Sequence, residues 1–151
     1  MAETTHLGEI VARYAGRGRD ALLPVLWDVQ REAGFIDAET ALSISRTLRV
    51  PVADIYGVIG FYSLFSDKPE GKTVIHVCAD PSCGLAGADS VLDALCARLG
   101  VRPGETTADG RYTVKRSTCL GLCEHAPAAL VCRRGEGECS HAPVTSSVAL
   151  L

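Results

Sequence analysis

Four cysteines stand in two short segments that could bind a metal ion or carry out redox chemistry. Cys78 and Cys83 are separated by four residues in CADPSC, and Cys119 and Cys123 by three residues in CLGLC. No pair in the sequence has the C-x-x-C spacing that a thioredoxin-type dithiol uses at the start of a helix. The spacing therefore favours a metal site over a redox dithiol.

The composition is that of a globular chain, and it excludes several function classes. Of 151 residues, 47% are hydrophobic and 22% are charged. A net charge of -3 argues against a nucleic acid as partner, since phosphate binding needs a basic surface. No signal peptide or membrane-spanning run is evident, so we expect a cytoplasmic chain without direct membrane contact. In that reducing compartment the seven cysteines are not expected to form structural disulfides.

The first part of the chain has helical periodicity and predicts a helical domain over residues 1–68. Asp20 and Asp37 are candidate N-caps, Gly34 is a candidate stop, and Pro51 is a candidate helix start. The pattern gives four short helices up to about residue 65. Because a lone core below roughly 70 residues is marginal, we expect this domain to bind a partner subunit.

After the breaker-rich segment SDKPEGK the period changes, and residues 69–151 predict a second domain of mixed helix and sheet. TVIHVC, RYTVKRS and AALVCRR are candidate strands, with a short fourth strand after GEGE. GLAGADSVLDALCARLG predicts one helix that starts after Cys83 and ends at Gly100. The whole chain is thus predicted to be α/β, with a small sheet in its second half.

Both cysteine pairs follow strands of this sheet, so their loops are expected to meet at one edge and bring four thiolates together. Four thiolates suit a structural zinc ion or a [2Fe–2S] cluster. Gly84 and Gly121, which let backbone approach sulfur, and the positive end of the helix after Cys83 favour the cluster. A zinc-stabilised interaction module without a redox role is the alternative.

The remaining cysteines and histidines have simpler interpretations. Cys96 falls on the apolar face of its helix, Cys132 is expected to face the core, and Cys139 is expected to face solvent. His76 alternates with Ile75 and Val77 and should face away from the core. His125 is a candidate hydrogen-bond donor to a cluster sulfur.

Charged residues beside the four cysteines would bias the reduction potential of a cluster. Asp80 and Glu124 would disfavour the added electron. Basic residues that flank the strands could oppose them and attract an acidic partner, or could simply be solvated; these are Lys115, Arg116, Arg133 and Arg134.

Four segments carry a resemblance to a known family: ALLPVLWDVQREAGFID, VPVADIYGVIGFYSLF, HVCADPSC and CLGLCEHAPAALV. They resemble the 24-kilodalton subunit family of NADH:quinone oxidoreductase, over about residues 20–134. The resemblance implies a helical N-terminal domain followed by a thioredoxin-like ferredoxin domain. It also implies one [2Fe–2S] cluster, with a ligand set of Cys78, Cys83, Cys119 and Cys123.

The same resemblance implies an electron-carrying subunit of an NAD-dependent oxidoreductase, without a substrate-turnover site of its own. Its partner would be a subunit that binds FMN and NAD(H). The compact length and the segment CLGLC favour the gamma subunit of NAD-dependent formate dehydrogenase, whose complex would include a large molybdenum-dependent subunit. The respiratory subunit and the small diaphorase subunit of NAD-linked hydrogenases are the alternatives. The short C-terminal segment departs from the strand and helix that usually close the domain.

Overall fold

The chain forms two compact units in a computed structural model that describes residues 2–134 and 139–143. The first unit ends at Pro69 and the second begins at Glu70. No helix within the described residues is long and apolar enough to cross a membrane.

The first unit is helical, and its local caps explain most of its boundaries. Its elements are α1 (Ala2–Ala12), a 3-10 turn (Gly18–Ala21), α2 (Leu22–Ala33), α3 (Ala38–Leu48) and α4 (Val52–Phe61). As predicted, Asp37 caps α3 by accepting a hydrogen bond from the backbone N–H of Thr40 at 2.7 Å. Gly34 ends α2 with φ of 82°, also as predicted. Asp20 was predicted to cap α2 but lies in the 3-10 turn, and Ala21 stands at the cap position instead.

This helical unit has a hydrophobic core of its own. Aliphatic side chains from all four helices are buried in it, among them Val11, Val25, Leu26, Ile44 and Ile55. Aromatic side chains nevertheless remain at the surface, and Phe61 is 78% exposed. A groove of about 380 Å³ lies beside them, and it is lined by Leu23, Pro24, Trp27, Tyr62, Leu64 and Phe65. The hydrophobic residues of this unit therefore fill a core and also form an apolar surface.

The second unit is built on a four-stranded sheet in the order β2-β1-β3-β4. The strands are β1 (Thr73–Cys78), β2 (Tyr112–Ser117), β3 (Ala128–Arg133) and β4 (Cys139–Pro143). β1 pairs with β2 in parallel and with β3 in antiparallel orientation, and β3 pairs with β4 in antiparallel orientation. The parallel pair needs a crossover connection, which the helical segment between β1 and β2 supplies.

Two helices, and not the single predicted one, connect β1 to β2. They are α5 (Pro81–Leu85) and α6 (Ala88–Leu99). Gly87 separates them with φ of 93°, a conformation that a helix interior does not allow. Gly100 ends α6 with φ of 67°, as predicted. The apolar face of α6 packs on one face of the sheet, and the core between them includes Ile75, Val77, Leu92, Leu95, Val114 and Val131.

His76 lies on the opposite face of the sheet from this core, as the alternation along β1 predicts, but it is also buried. Its side chain is only 3% exposed. Burial, followed by the nearby positive charge of Lys115, lowers the pKa of His76 to about 4. The imidazole is therefore neutral at pH 7, and its Nδ1 atom has no hydrogen-bond partner in the described part of the chain.

Gly71 lies where the chain enters β1, and only glycine fits there. Its backbone N–H donates to Thr113 Oγ1 at 2.7 Å, which holds the segment against β2. A Cβ atom at this position would lie 2.7 to 2.9 Å from backbone atoms of Tyr112. Backbone atoms cannot rotate away as a side-chain end can, so the entry to β1 would have to shift.

We therefore expect Gly71→Ala to lower the free energy of unfolding by about 1–3 kcal/mol, the usual cost of overpacking. Urea unfolding followed by far-ultraviolet circular dichroism measures it. Gly57→Ala is the control, because Gly57 lies inside α4 and, apart from its chain neighbours and the backbone of its own helix, no described atom lies within 4 Å of a new Cβ. That change should raise stability by roughly 0.5–1 kcal/mol. An unchanged unfolding midpoint for Gly71→Ala would contradict the close approach.

Candidate metal centre

The parallel pairing of β1 and β2 places both cysteine segments at one edge of the sheet. Cys78 is the last residue of β1 and is the register partner of Ser117, the last residue of β2. The ladder continues by one bond, from the Ala79 backbone N–H to the Ser117 carbonyl oxygen at 3.0 Å. The loop from Cys78 to Cys83 therefore leaves the sheet beside the loop that carries Cys119 and Cys123.

The four thiols meet there as two pairs. The sulfur atoms of Cys119 and Cys123 are 3.6 Å apart, and Cys78 lies close enough to Cys83 to add to the rise that burial causes in the pKa of the Cys83 thiol. After the hydrogen bond with Cys119, the nearby Cys83 and Cys78 thiols also raise the pKa of Cys123, so the two pairs lie near each other. Among residues 2–134 and 139–143, no group of three or more His, Cys, Asp or Glu side chains is spaced to hold a single metal ion. The four cysteines singled out from the sequence therefore lie near one another at this edge of the sheet, but within the described residues they are not spaced as the ligands of a metal ion.

The two pairs differ in burial. Cys78 and Cys83 are each only 2% exposed, whereas Cys119 and Cys123 are exposed to solvent. Burial raises the pKa of the Cys83 thiol, and the backbone N–H of Ala128 partly offsets that rise. The hydrogen bond with Cys119 raises the pKa of Cys123. Since a metal binds the thiolate, metal uptake at this site must release protons.

Glycine contributes at one of the two predicted positions. Gly121 has φ of 74°, and its backbone N–H points at Cys119 Sγ with a nitrogen–sulfur distance of 3.4 Å. The prediction for Gly84 is wrong, because Gly84 lies inside α5 and the nearest atom to a Cβ built there is 4.0 Å away. The predicted helix starting after Cys83 is wrong as well: Cys83 is the third residue of the five-residue α5. Neither feature therefore explains how the loop would stabilise an anionic group.

Asp80 links the two loops, a contact that the sequence does not reveal. It occupies the N-cap position of α5, yet its side chain makes no capping hydrogen bond to that helix. Instead, Asp80 Oδ2 accepts a hydrogen bond from the backbone N–H of Cys119 at 2.8 Å. The two residues are 39 positions apart, so no local sequence pattern indicates this contact.

These features fit a two-metal cluster, because two thiols are offered from each of two loops and a backbone N–H points at sulfur. A family model described as thioredoxin-like [2Fe–2S] ferredoxin matches residues 7–149. The chain belongs to this family. The match confirms the thioredoxin-like fold of mixed helix and sheet, and it confirms a [2Fe–2S] cluster as the cofactor of this ferredoxin.

Curated relatives and solved structures agree with the family. The ferredoxin is 41% identical over 126 residues to NADH-quinone oxidoreductase subunit 2 of Thermus thermophilus, covering 83% of this chain and 70% of the relative. It is 36% identical over 110 residues to NADP-reducing hydrogenase subunit HndA of Solidesulfovibrio fructosivorans, covering 73% and 64%. An air-oxidised NAD+-reducing [NiFe]-hydrogenase structure matches with a TM-score of 0.61 and 31% identity. That match covers 74% of this chain but only 19% of the hydrogenase chain.

The other three cysteines of the ferredoxin lie outside the site. Cys96 is buried in the core under α6, as predicted. Cys132 and Cys139 form a disulfide, so the expectation that the chain has none is wrong, as are the separate interpretations of these two residues. They are register partners across β3 and β4, with their Cα atoms 4.2 Å apart. The expectation followed from the compartment alone and took no account of strand register, which places the thiols together.

The polar side chains near the site are largely paired with one another. His125 is 59% exposed, and its Nε2 lies 3.8 Å from Glu124 Oε1. Within the described residues no hydrogen bond from this imidazole to a sulfur is present. Two of the flanking basic residues form ion pairs within their own unit, Lys115 with Glu70 at 2.7 Å and Arg116 with Asp89 at 2.6 Å. Their positive charge is therefore partly neutralised.

The disulfide can be tested by counting thiols. After cluster removal and denaturation without reductant, the wild-type chain should show five free thiols, those of Cys78, Cys83, Cys96, Cys119 and Cys123. Cys139→Ser should show six, because Cys132 loses its partner. Reduction of the disulfide should lower the unfolding free energy of the wild type by about 2 kcal/mol. The effect is modest because the disulfide closes only a short loop. Seven reactive thiols in the wild type, purified without reductant, would contradict the pairing.

Proposed function

We propose that Cys78, Cys83, Cys119 and Cys123 hold the [2Fe–2S] cluster and that this chain carries single electrons. The observation that supports it is the meeting of two thiol pairs from two loops at one edge of the sheet. Each loop would supply two of the four thiolate ligands that such a cluster needs. The cluster, when bound, supplies a one-electron couple, and the protein supplies its ligands and surroundings.

The surroundings suit electron transfer better than substrate turnover. The pair of Cys78 and Cys83 is enclosed by the core, while Cys119 and Cys123 open to solvent. A redox partner could thus approach the second pair with little protein between. The Gly121 backbone N–H would donate to the Cys119 sulfur and would favour the reduced, more negative state.

The proposed partner is a subunit that binds FMN and NAD(H), with which the cluster exchanges electrons in a cytoplasmic oxidoreductase complex. The names of the relatives support this, since they are subunits of NADH-quinone oxidoreductases and of an NADP-reducing hydrogenase. Among such complexes, NAD-dependent formate dehydrogenase with its molybdenum-dependent large subunit is the specific candidate that the sequence resemblance favours. Co-purification from the native host, followed by mass spectrometry of the associated subunits, identifies the complex directly.

The helical unit is the proposed contact for that flavin-binding subunit. It has its own core, so its exposed aromatic side chains are not needed to complete its fold. Large apolar surfaces on a folded unit are typical of subunit contacts. Phe61, at 78% exposure, is the most exposed of the aromatic residues at this surface.

Replacing a ligand cysteine tests the cluster assignment. Cys83→Ser should abolish the low-temperature electron paramagnetic resonance signal that appears after dithionite reduction, because serine replaces one of the four thiolates. Cys96→Ser is the matched control: it also removes a buried thiol, but one in the core under α6, and it should keep the signal. The wild type should contain about two irons and two sulfides per chain. A colourless chain with one zinc would instead support the interaction module.

A further inference from the structure

Asp80 occupies the N-cap position of α5, but its side chain does not cap that helix. An aspartate at an N-cap ordinarily accepts a hydrogen bond from its own helix. Here the Asp80 carboxylate accepts no hydrogen bond from α5. Instead it accepts one from the backbone N–H of Cys119 at 2.8 Å. Asp80 lies between Cys78 and Cys83 in the first loop, so this bond joins one thiol pair to the other.

The bond has a mechanical consequence. Cys119, Gly121 and Cys123 are exposed, whereas Leu120 and Leu122 are half-buried and pack against the core of the second unit. A charge-assisted hydrogen bond is stronger and shorter than a neutral one, and this one ends on the backbone of a proposed ligand. It therefore constrains the position of Cys119 relative to the pair of Cys78 and Cys83.

It also has an electrostatic consequence. Reduction adds one electron to a cluster whose ligands are already anionic, and a carboxylate in the same loop disfavours that added charge. Moreover, the Cys119 N–H donates to Asp80 and is not available to a sulfur, where it would favour the reduced state. Both effects act in the same direction and lower the reduction potential.

We propose that Asp80 is a positioning residue that ties the two ligand loops together and holds the cluster at a lower reduction potential than its cysteine ligands alone would set. This inference rests on the proposed function, because it takes Cys78, Cys83, Cys119 and Cys123 as the cluster ligands. It concerns a residue outside that ligand set.

Two substitutions separate the charge of Asp80 from its bridge. Asp80→Asn keeps an oxygen that can accept the Cys119 N–H but removes the charge. At a fixed applied potential its ratio of reduced to oxidised cluster should rise about tenfold, which for a one-electron couple corresponds to 59 mV. Asp80→Ala removes the acceptor as well, so its cluster should also be lost several-fold faster to an iron chelator. Potentiometric titration followed by paramagnetic resonance measures the first quantity, and visible absorbance measures the second.

Glu124→Gln is the matched control, because it removes the same charge from the residue next to Cys123. The Glu124 side chain is 77% exposed, and its only ion pair among the described residues is with His125. Its effect on the reduction potential should be smaller than that of Asp80→Asn. It should also vanish in about 1 M salt, where charges are screened beyond about 3 Å. The shift in Asp80→Asn should persist there, because Asp80 is only half-exposed and bound to the loop.

The outcomes distinguish this inference from the proposed function. A wild-type chain without a cluster signal would overturn the proposed function, and the role of Asp80 with it. A normal wild-type signal with no shift in Asp80→Asn, or with an equal shift in Glu124→Gln at high salt, would overturn the role of Asp80 alone. Equal rates of cluster loss in wild type and Asp80→Ala would refute the bridge between the loops.

Discussion

The parallel pairing of β1 with β2 is the constraint on which the rest of the second unit depends. It sets Cys78 opposite Ser117, so both cysteine-bearing loops leave the sheet at the same edge and at the same height. A slip by one residue between these strands would turn either Val77 or Val114 out of the core and would shift one loop relative to the other. The same residues that bury the apolar face of the sheet therefore also determine the geometry of the candidate site. The close approach of Gly71 to Tyr112 belongs to this constraint, because it fixes where the pairing begins.

The burial of the site follows from this arrangement. The first loop turns directly into α5 and is covered by the core, so Cys78 and Cys83 are enclosed. The second loop crosses the edge of the sheet and returns into β3, so Cys119 and Cys123 stay at the surface. Leu85, at the end of α5, is 92% exposed on the segment that follows Cys83. In the proposed function this asymmetry gives the cluster an enclosed inner side and an outer side open to a redox partner.

Features that depend on a few neighbouring residues could be predicted from the sequence. The caps at Gly34, Asp37 and Gly100 each require only one residue type in a short pattern, and all three are observed. The convergence of the cysteine pairs was also predictable, because it requires only that both follow strands of one sheet. The break between α5 and α6 was not, because Gly87 stands inside an otherwise regular apolar period.

Features that depend on strand register or on contacts between distant residues could not be predicted. The disulfide between Cys132 and Cys139 is a local contact across the β3–β4 hairpin, but it needs the register of that hairpin, which the prediction of a turn at GEGE did not specify. The burial of His76 on the second face of the sheet likewise depends on what covers that face, whereas alternation predicts only the face itself. The contact of Asp80 with Cys119 depends on loops joined only through the fold.

The two backbone N–H groups near Cys119 show how such a site balances stability against potential. Each N–H directed at a sulfur stabilises the anionic state of the cluster and raises its potential, as Gly121 would do. An N–H directed at a carboxylate gives no such rise in the potential, yet it holds the loop more firmly. In the second loop the backbone N–H of Gly121 is directed at a sulfur, whereas the backbone N–H of Cys119 is directed at Asp80. A loop with every donor facing sulfur would raise the potential further but would lose its link to the first loop. The position of one carboxylate therefore couples how well the cluster is held to how readily it accepts an electron.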